Sequence, residues 1–149
     1  MLKFLFPAAA DTPPERGPAA KPAAAAAARL EPRLVERHLG QLFATDGVVA
    51  CAVVDAASGL LLAEQSRDGV DMDAAAAACA EALRALRQAA VRLGQPAVDE
   101  MTLTFGPTLQ LVRILPRQTS MFLLVLVDRP RANLALARFR MAEAQRNLA

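Results

Sequence analysis

The sequence predicts an α/β domain: a five-stranded antiparallel sheet between helices, in the order α-β-β-α-β-β-β-α. Three stretches carry that prediction. Gly47–Ser66, GVVACAVVDAASGLLLAEQS, is two apolar runs joined by an Asp–Ala–Ala–Ser–Gly turn. A short turn between apolar runs implies an antiparallel hairpin. The stretch from about Met72 to Leu93 has helical periodicity with a start and a stop signal. Ala132–Leu148, ANLALARFRMAEAQRNL, reads as a closing helix that begins where another strand ends.

Residues 1–29 are expected to form a disordered Pro/Ala-rich tail, and residues 30–149 the folded domain. Pro7–Ala28 offers few large apolar side chains, so burial would not offset the entropy of ordering it. Ala23–Ala28 has the helix propensity to extend the next element by a turn or two. Met1–Phe6, MLKFLF, stands apart. An apolar hexamer on such a tether is either a docking peptide for a partner or membrane surface, or an ordinary start that packs loosely on the domain.

The first helix is expected over Leu30–Thr45, where Leu34, Val35, Leu39, Leu42 and Phe43 recur at helical spacing. Pro32 suits its first turn, where the missing N–H costs nothing. His38, the only histidine, sits beside Glu36 and Arg37 and is expected at the surface. Val48–Asp55 is apolar until its last residue, and Met121–Val127, MFLLVLV, is apolar throughout. Such strands must be covered on both faces, so these two belong at the centre of the sheet. Leu60–Ser66 turns polar at Glu64, Met101–Phe105 alternates with Thr102 and Thr104, and Leu109–Leu115 carries Gln110 and Arg113. These three are expected to be peripheral or half-covered. Gly106–Pro107 marks a second hairpin turn.

The middle helix has three faces at about 100° per residue. Asp71 and Asp73 can cap its start; Gly94 and Pro96 can end it. Cys79, Leu83, Leu86, Ala90 and Leu93 form a bulky line expected to lie on the sheet. Glu81, Arg84, Gln88 and Arg92 form a polar face. Between them run Ala75, Ala78, Ala82, Ala85 and Ala89. A stripe without side-chain bulk lets another helix approach closely, which suggests a self-association seam; the alternative is that this chain simply uses alanine everywhere.

Composition narrows the chemistry. A length of 149 residues suits one domain plus a tail. Aromatic content is 4%, with no Trp and no Tyr, so the core is built from Leu, Val and Ala. A net charge of +2 does not imply nucleic acid. The basic stretch from Arg129 to Arg146 has only Phe139 beside it, which gives little for base stacking. No segment reaches the ~18 apolar residues of a membrane span, and Pro7 cuts the N-terminal patch short of the ~7–15 residues of an export signal. A cytoplasmic location is expected.

A lone histidine argues against Ser–His–Asp or Cys–His catalysis. No GxxxxGK[ST] or GxGxxG loop is present. Cys51 and Cys79 read as small buried thiols rather than metal ligands. Asp68, Asp71 and Asp73 lack the distal Glu of a calcium loop. No catalytic residue, cofactor or metal site is expected.

The hairpin Gly47–Ser66, with its VVD…SGLLLA core, resembles the opening hairpin of the roadblock/dynein-light-chain family. Ala132–Arg138, ANLALAR, resembles the start of that family's last helix, with Ala135 where Gly is usual. The element order matches, and the resemblance spans Leu30–Leu148. It implies a profilin-like roadblock fold, with the middle helix on one face of the sheet and the terminal helices on the other. The first and fifth strands would be central neighbours. It also implies a homodimer through the middle helix and the edge strand Met101–Phe105. Ala75, Ala78, Ala82, Ala85 and Ala89 would then be the seam, with Thr102 and Thr104 pairing the edge across a twofold.

Members of this family regulate or scaffold small Ras-like GTPases, or serve as light chains in larger assemblies. Bacterial, MglB-like members stimulate hydrolysis by arranging the GTPase's own residues rather than inserting an arginine. Carried to this chain, that places a partner on the paired middle helices, with Arg84, Gln88 and Arg92 available and no arginine finger assigned. The Pro/Ala tail lies outside the family pattern. The expected function is therefore a non-catalytic homodimeric regulator of a small Ras-like GTPase. The alternative is a passive assembly subunit tethered by MLKFLF. A small-molecule sensor is less favoured, because the Leu/Val/Ala pattern offers no polar cluster for a ligand.

Overall fold

The structure is a computed structural model that describes Ala25 and residues 28–148. Its elements are α1 (Pro32–Phe43), β1 (Val48–Asp55), β2 (Leu61–Ser66), α2 (Met72–Arg92), β3 (Glu100–Phe105), β4 (Thr108–Leu115), β5 (Gln118–Asp128), a 3₁₀ turn (Arg129–Arg131) and α3 (Leu134–Leu148). The expected disorder of residues 1–29 and the role of MLKFLF fall on residues outside that description, apart from Ala25, Ala28 and Arg29.

The five strands form one sheet in the order β2-β1-β5-β4-β3, every neighbouring pair antiparallel. Hydrophobic patterning explains the centre. Seven consecutive residues of β5, Met121–Val127, are buried, and so is every residue of β1 except half-buried Val49. These strands pair from Val48↔Val127 to Asp55↔Met121, as their unbroken apolar runs require. Each sheet face carries its own core. One packs Val53, Leu109, Leu111, Leu123 and Val125 against α1 and α3. The other packs Ala52, Val54, Val112, Phe122 and Leu124 against α2.

Three sequence expectations are corrected. β4 is interior rather than peripheral: seven of its eight residues are buried. Gln110 and Arg113 have partners, which is why they do not mark solvent. Gln110 accepts a hydrogen bond from Cys79 Sγ at 3.1 Å, and Arg113 pairs with Glu100 at 2.9 Å and reaches Gln145. His38 is buried at 8% exposure, not at the surface. Helical spacing aligns it with Val35 and Leu42 despite its charged neighbours, and its Nδ1 has no hydrogen-bond partner among the described residues. The expected sheet-facing line of α2 holds only in its first half. Cys79 and Leu83 are buried, but Leu86 is 42% and Leu93 72% exposed.

The helices begin and end where the chemistry predicts. Pro32 occupies the first turn of α1. Asp71 Oδ1 accepts from Ala74 N at 3.0 Å to cap α2, and Gly94 follows that helix at φ +63°. Asn133 Oδ1 accepts from Leu136 N at 3.0 Å and caps α3, so the helix begins at Leu134 rather than at Ala132, which closes the 3₁₀ turn.

Ala132 has another task. A Cβ on Gly47 would lie 2.3 Å from Ala132 Cα. The two stretches that announced the fold therefore meet backbone to backbone. Asp128 N donates to Gly47 O at 2.8 Å and Asn133 N to Asp46 O at 3.3 Å, tying the entry to β1 to the exit from β5.

Candidate interaction surface

The β1–β2 hairpin turn is seated on α2. Asp55 is buried and accepts from Ser58 N at 2.8 Å and Ser58 Oγ at 2.6 Å. That closes the Asp–Ala–Ala–Ser–Gly turn by satisfying a buried carboxylate locally. Gly59, at φ +73°, brings the turn so close to the helix that a Cβ there would be 3.0 Å from Ala77 Cα. Arg84 Nη2 then donates to Ala57 O at 3.1 Å. One turn further along, Arg87 Nη2 donates to Thr119 O at 2.8 Å, at the start of β5.

The predicted polar residues Arg84, Gln88 and Arg92 do share one side of α2, all three exposed. They are not equivalent. Arg84 is committed to a carbonyl, while Gln88 and Arg92 make no side-chain hydrogen bond among the described residues. Arg84 and Gln88 line a groove of about 360 Å³ with Ala56, Ala57 and Ser120. Arg87 also lines it; no residue pattern signals this, because its partner is a backbone carbonyl distant in the chain.

The alanine stripe runs off the sheet. Ala75 is buried, Ala82 and Ala89 are half-buried, and Ala78 and Ala85 are exposed. Beside it Leu86, in the second half of α2, and Leu93, at its C-cap, are presented to solvent. Past the helix end, a groove of about 780 Å³ continues between Ala90, Pro96, Val98 and Ile114. β3 is the adjacent sheet edge. Its Met101 and Leu103 point into the core beneath α2, and Thr102 and Thr104 are exposed. α3 reaches this edge too: Arg138 Nη1 lies 3.9 Å from Glu100 Oε1, and Arg138 Nη2 3.5 Å from Thr102 Oγ1. The structure thus brings together, on one flank, a bulk-free helix stripe, exposed leucines and an open strand edge.

Both cysteines are turned into the cores. Cys79 donates inward to Gln110, and Cys51 Sγ donates to Leu39 O at 3.3 Å. Burial pushes the Cys51 thiol up to about 12 and the Cys79 thiol up to about 11, so both are protonated and unreactive at neutral pH. Among the described residues no cluster of His, Cys, Asp and Glu could hold a metal ion, and no helix is long and apolar enough to cross a membrane.

A sheet clamped between one long helix and a helical pair, with a sheet edge beside an exposed helix face, defines a small α/β domain. The chain belongs to the Roadblock/LC7 family, whose domain matches residues 34–112. No curated protein matches it. Among solved structures it resembles the gliding protein MglB of Thermus thermophilus, with a TM-score of 0.68 at 18% identity over 78% of this chain and 87% of that one. Myxococcus xanthus MglB gives 0.64 at 18% identity, over 78% and 82%. A Roadblock/LC7 domain from Streptomyces avermitilis gives 0.62 at 19%, over 76% and 90%. At these identities the likeness is one of fold.

Proposed function

We propose that this chain is a non-catalytic homodimer that binds a small Ras-like GTPase and biases its nucleotide state. One observation supports this most: Leu86 and Leu93 continue the buried line of Cys79 and Leu83, yet stand exposed beside the β3 edge. Large apolar side chains aligned on one flank mark a protein interface. A second copy related by a twofold would cover them, joining β3 to β3 and α2 to α2. The seam would be Ala78, Ala82, Ala85 and Ala89 with Thr102 and Thr104; Ala75, being buried, would support it from beneath.

The paired α2 helices would present Arg84, Gln88 and Arg92 of both copies to the GTPase. Arg84 is already held by Ala57 O, so it suits a docking role. Gln88 and Arg92 are the better candidates for contacts that depend on nucleotide. One of the similar solved structures is described as "MglB with tetrameric arrangement", in keeping with a fold that associates through its surfaces. A cytoplasmic location fits the proposal.

Light scattering tests the dimer and enzyme kinetics the regulation. Ala82→Glu should yield monomers or aggregates, since it buries a charge where helices meet; an unchanged dimer mass would remove the α2 seam. The wild-type dimer should alter hydrolysis or exchange by its cognate GTPase. Unaltered rates together with no binding would refute the regulatory role and leave an assembly subunit.

A further inference from the structure

We infer that Met1–Phe6 docks on its own domain, in the groove between α1 and the edge strand β2. The groove, of about 460 Å³, lies within the ~300–1,000 Å³ usual for ligand pockets. Its floor is apolar: Leu30, Val35 and Leu39 from the α1 side are buried, and Leu62 and Ala63 from β2 are half-buried. It lies at the opposite end of the sheet from β3, so the proposed dimer leaves it free.

Three features select this occupant. Among the described residues β2 pairs only with β1, so its outer row of backbone N–H and C=O groups is available to an added strand. Glu36 and Glu64 flank the groove, and neither forms a salt bridge among the described residues. MLKFLF offers five large apolar side chains, and its one charged side chain is the cation Lys3. Finally, the tether ends in the right place. Residues 7–29 run directly into Leu30, which lines the groove. At up to ~3.3–3.6 Å per residue that length is no barrier to folding back. Tethering makes the encounter intramolecular, with an effective concentration on the order of millimolar.

Hydrogen–deuterium exchange on the full chain, without lipid or partner, tests the inference. Wild type is compared with Phe4→Asp/Leu5→Asp, and with Ala10→Asp as a tail control. All three substitutions lie outside residues 28–148, so none alters a contact between two of those residues. The double variant should make the outward-facing amides of β2, those not bonded to β1, exchange about tenfold faster, as expected if the groove is filled nine-tenths of the time. The control should leave them unchanged. Identical β2 exchange in wild type and double variant would overturn the inference, as would an equal effect from Ala10→Asp. Protection that fades on dilution would also overturn it, because a second copy would then supply the segment.

Discussion

At the scale of single residues, Gly47 shows how much one position can decide. It has φ +81°, and Ala132 closes the space where a side chain would stand. Gly94 has a similar φ, +63°, with nothing within 4 Å. Both alanine variants carry left-handed strain of about 1–3 kcal/mol, but only Gly47→Ala adds a backbone collision. Urea unfolding should therefore show Gly94→Ala losing about 1 kcal/mol and Gly47→Ala at least ~3 kcal/mol. The cysteines set the alkaline behaviour. An ordinary thiol value of 9.0 in the unfolded chain is raised to about 12 for Cys51 and about 11 for Cys79 on folding. Between those limits the unfolded chain releases protons that the folded chain keeps, so stability falls as pH rises above 9 and is flat below it. The chain has no Tyr, and its only lysines are Lys3 and Lys21, so few other side chains titrate in this window. Urea midpoints from pH 8 to 10.5 should fall in wild type and fall less in Cys51→Ala/Cys79→Ala.

At the scale of elements, α2 is two helices in one. Its first half, from Met72 to Leu83, is anchored by burial; its second half, from Leu86 to Arg92, holds no buried residue. Leu86→Gln and Leu93→Gln should accordingly leave the unfolding midpoint of a dilute sample within about 0.5 kcal/mol of wild type, while raising the dimer dissociation constant at least tenfold in analytical ultracentrifugation. The elements also show what a sequence discloses. β1 and β5 were legible because an unbroken apolar run permits only a central strand. β4 was not, since Gln110 and Arg113 look solvent-seeking until Cys79, Glu100 and Gln145 arrive from distant parts of the chain. His38 was hidden in the same way by Glu36 and Arg37. On the candidate surface, helical spacing alone placed Arg84, Gln88 and Arg92 on one side of α2. The role of Arg87 depends on the Thr119 carbonyl, and backbone positions carry no residue signature.

At the scale of the whole molecule, two cores share one sheet. Leu83 of α2 and Met141 of α3 are each about fully buried, in different cores, on opposite faces. Truncating either to alanine should cost about 2–5 kcal/mol. The sheet separates the two sites, so the double variant should lose the sum within about 0.5 kcal/mol. A clear excess or deficit in guanidinium titrations would show that strain passes through the β1–β5 pair. The terminal elements join through the Gly47–Ala132 contact, so the chain closes on itself at one end of the sheet rather than fraying there.

The sheet's two edges differ in what they permit. A β3 edge paired with its own copy is satisfied once, whereas two copies so joined would place β2 at both outer ends, exposed whenever Met1–Phe6 leaves its groove. Strand-to-strand addition at those ends would have no geometric stopping point, and growth into filaments would follow. β2 carries its own brakes: the pairing register slips beside it between Val53 and Val54, and it ends in Glu64, Gln65 and Ser66. A bulge and a charged, polar terminus are the usual means of keeping an edge from templating another molecule. The same strand that invites a short peptide is thereby kept from seeding a fibre.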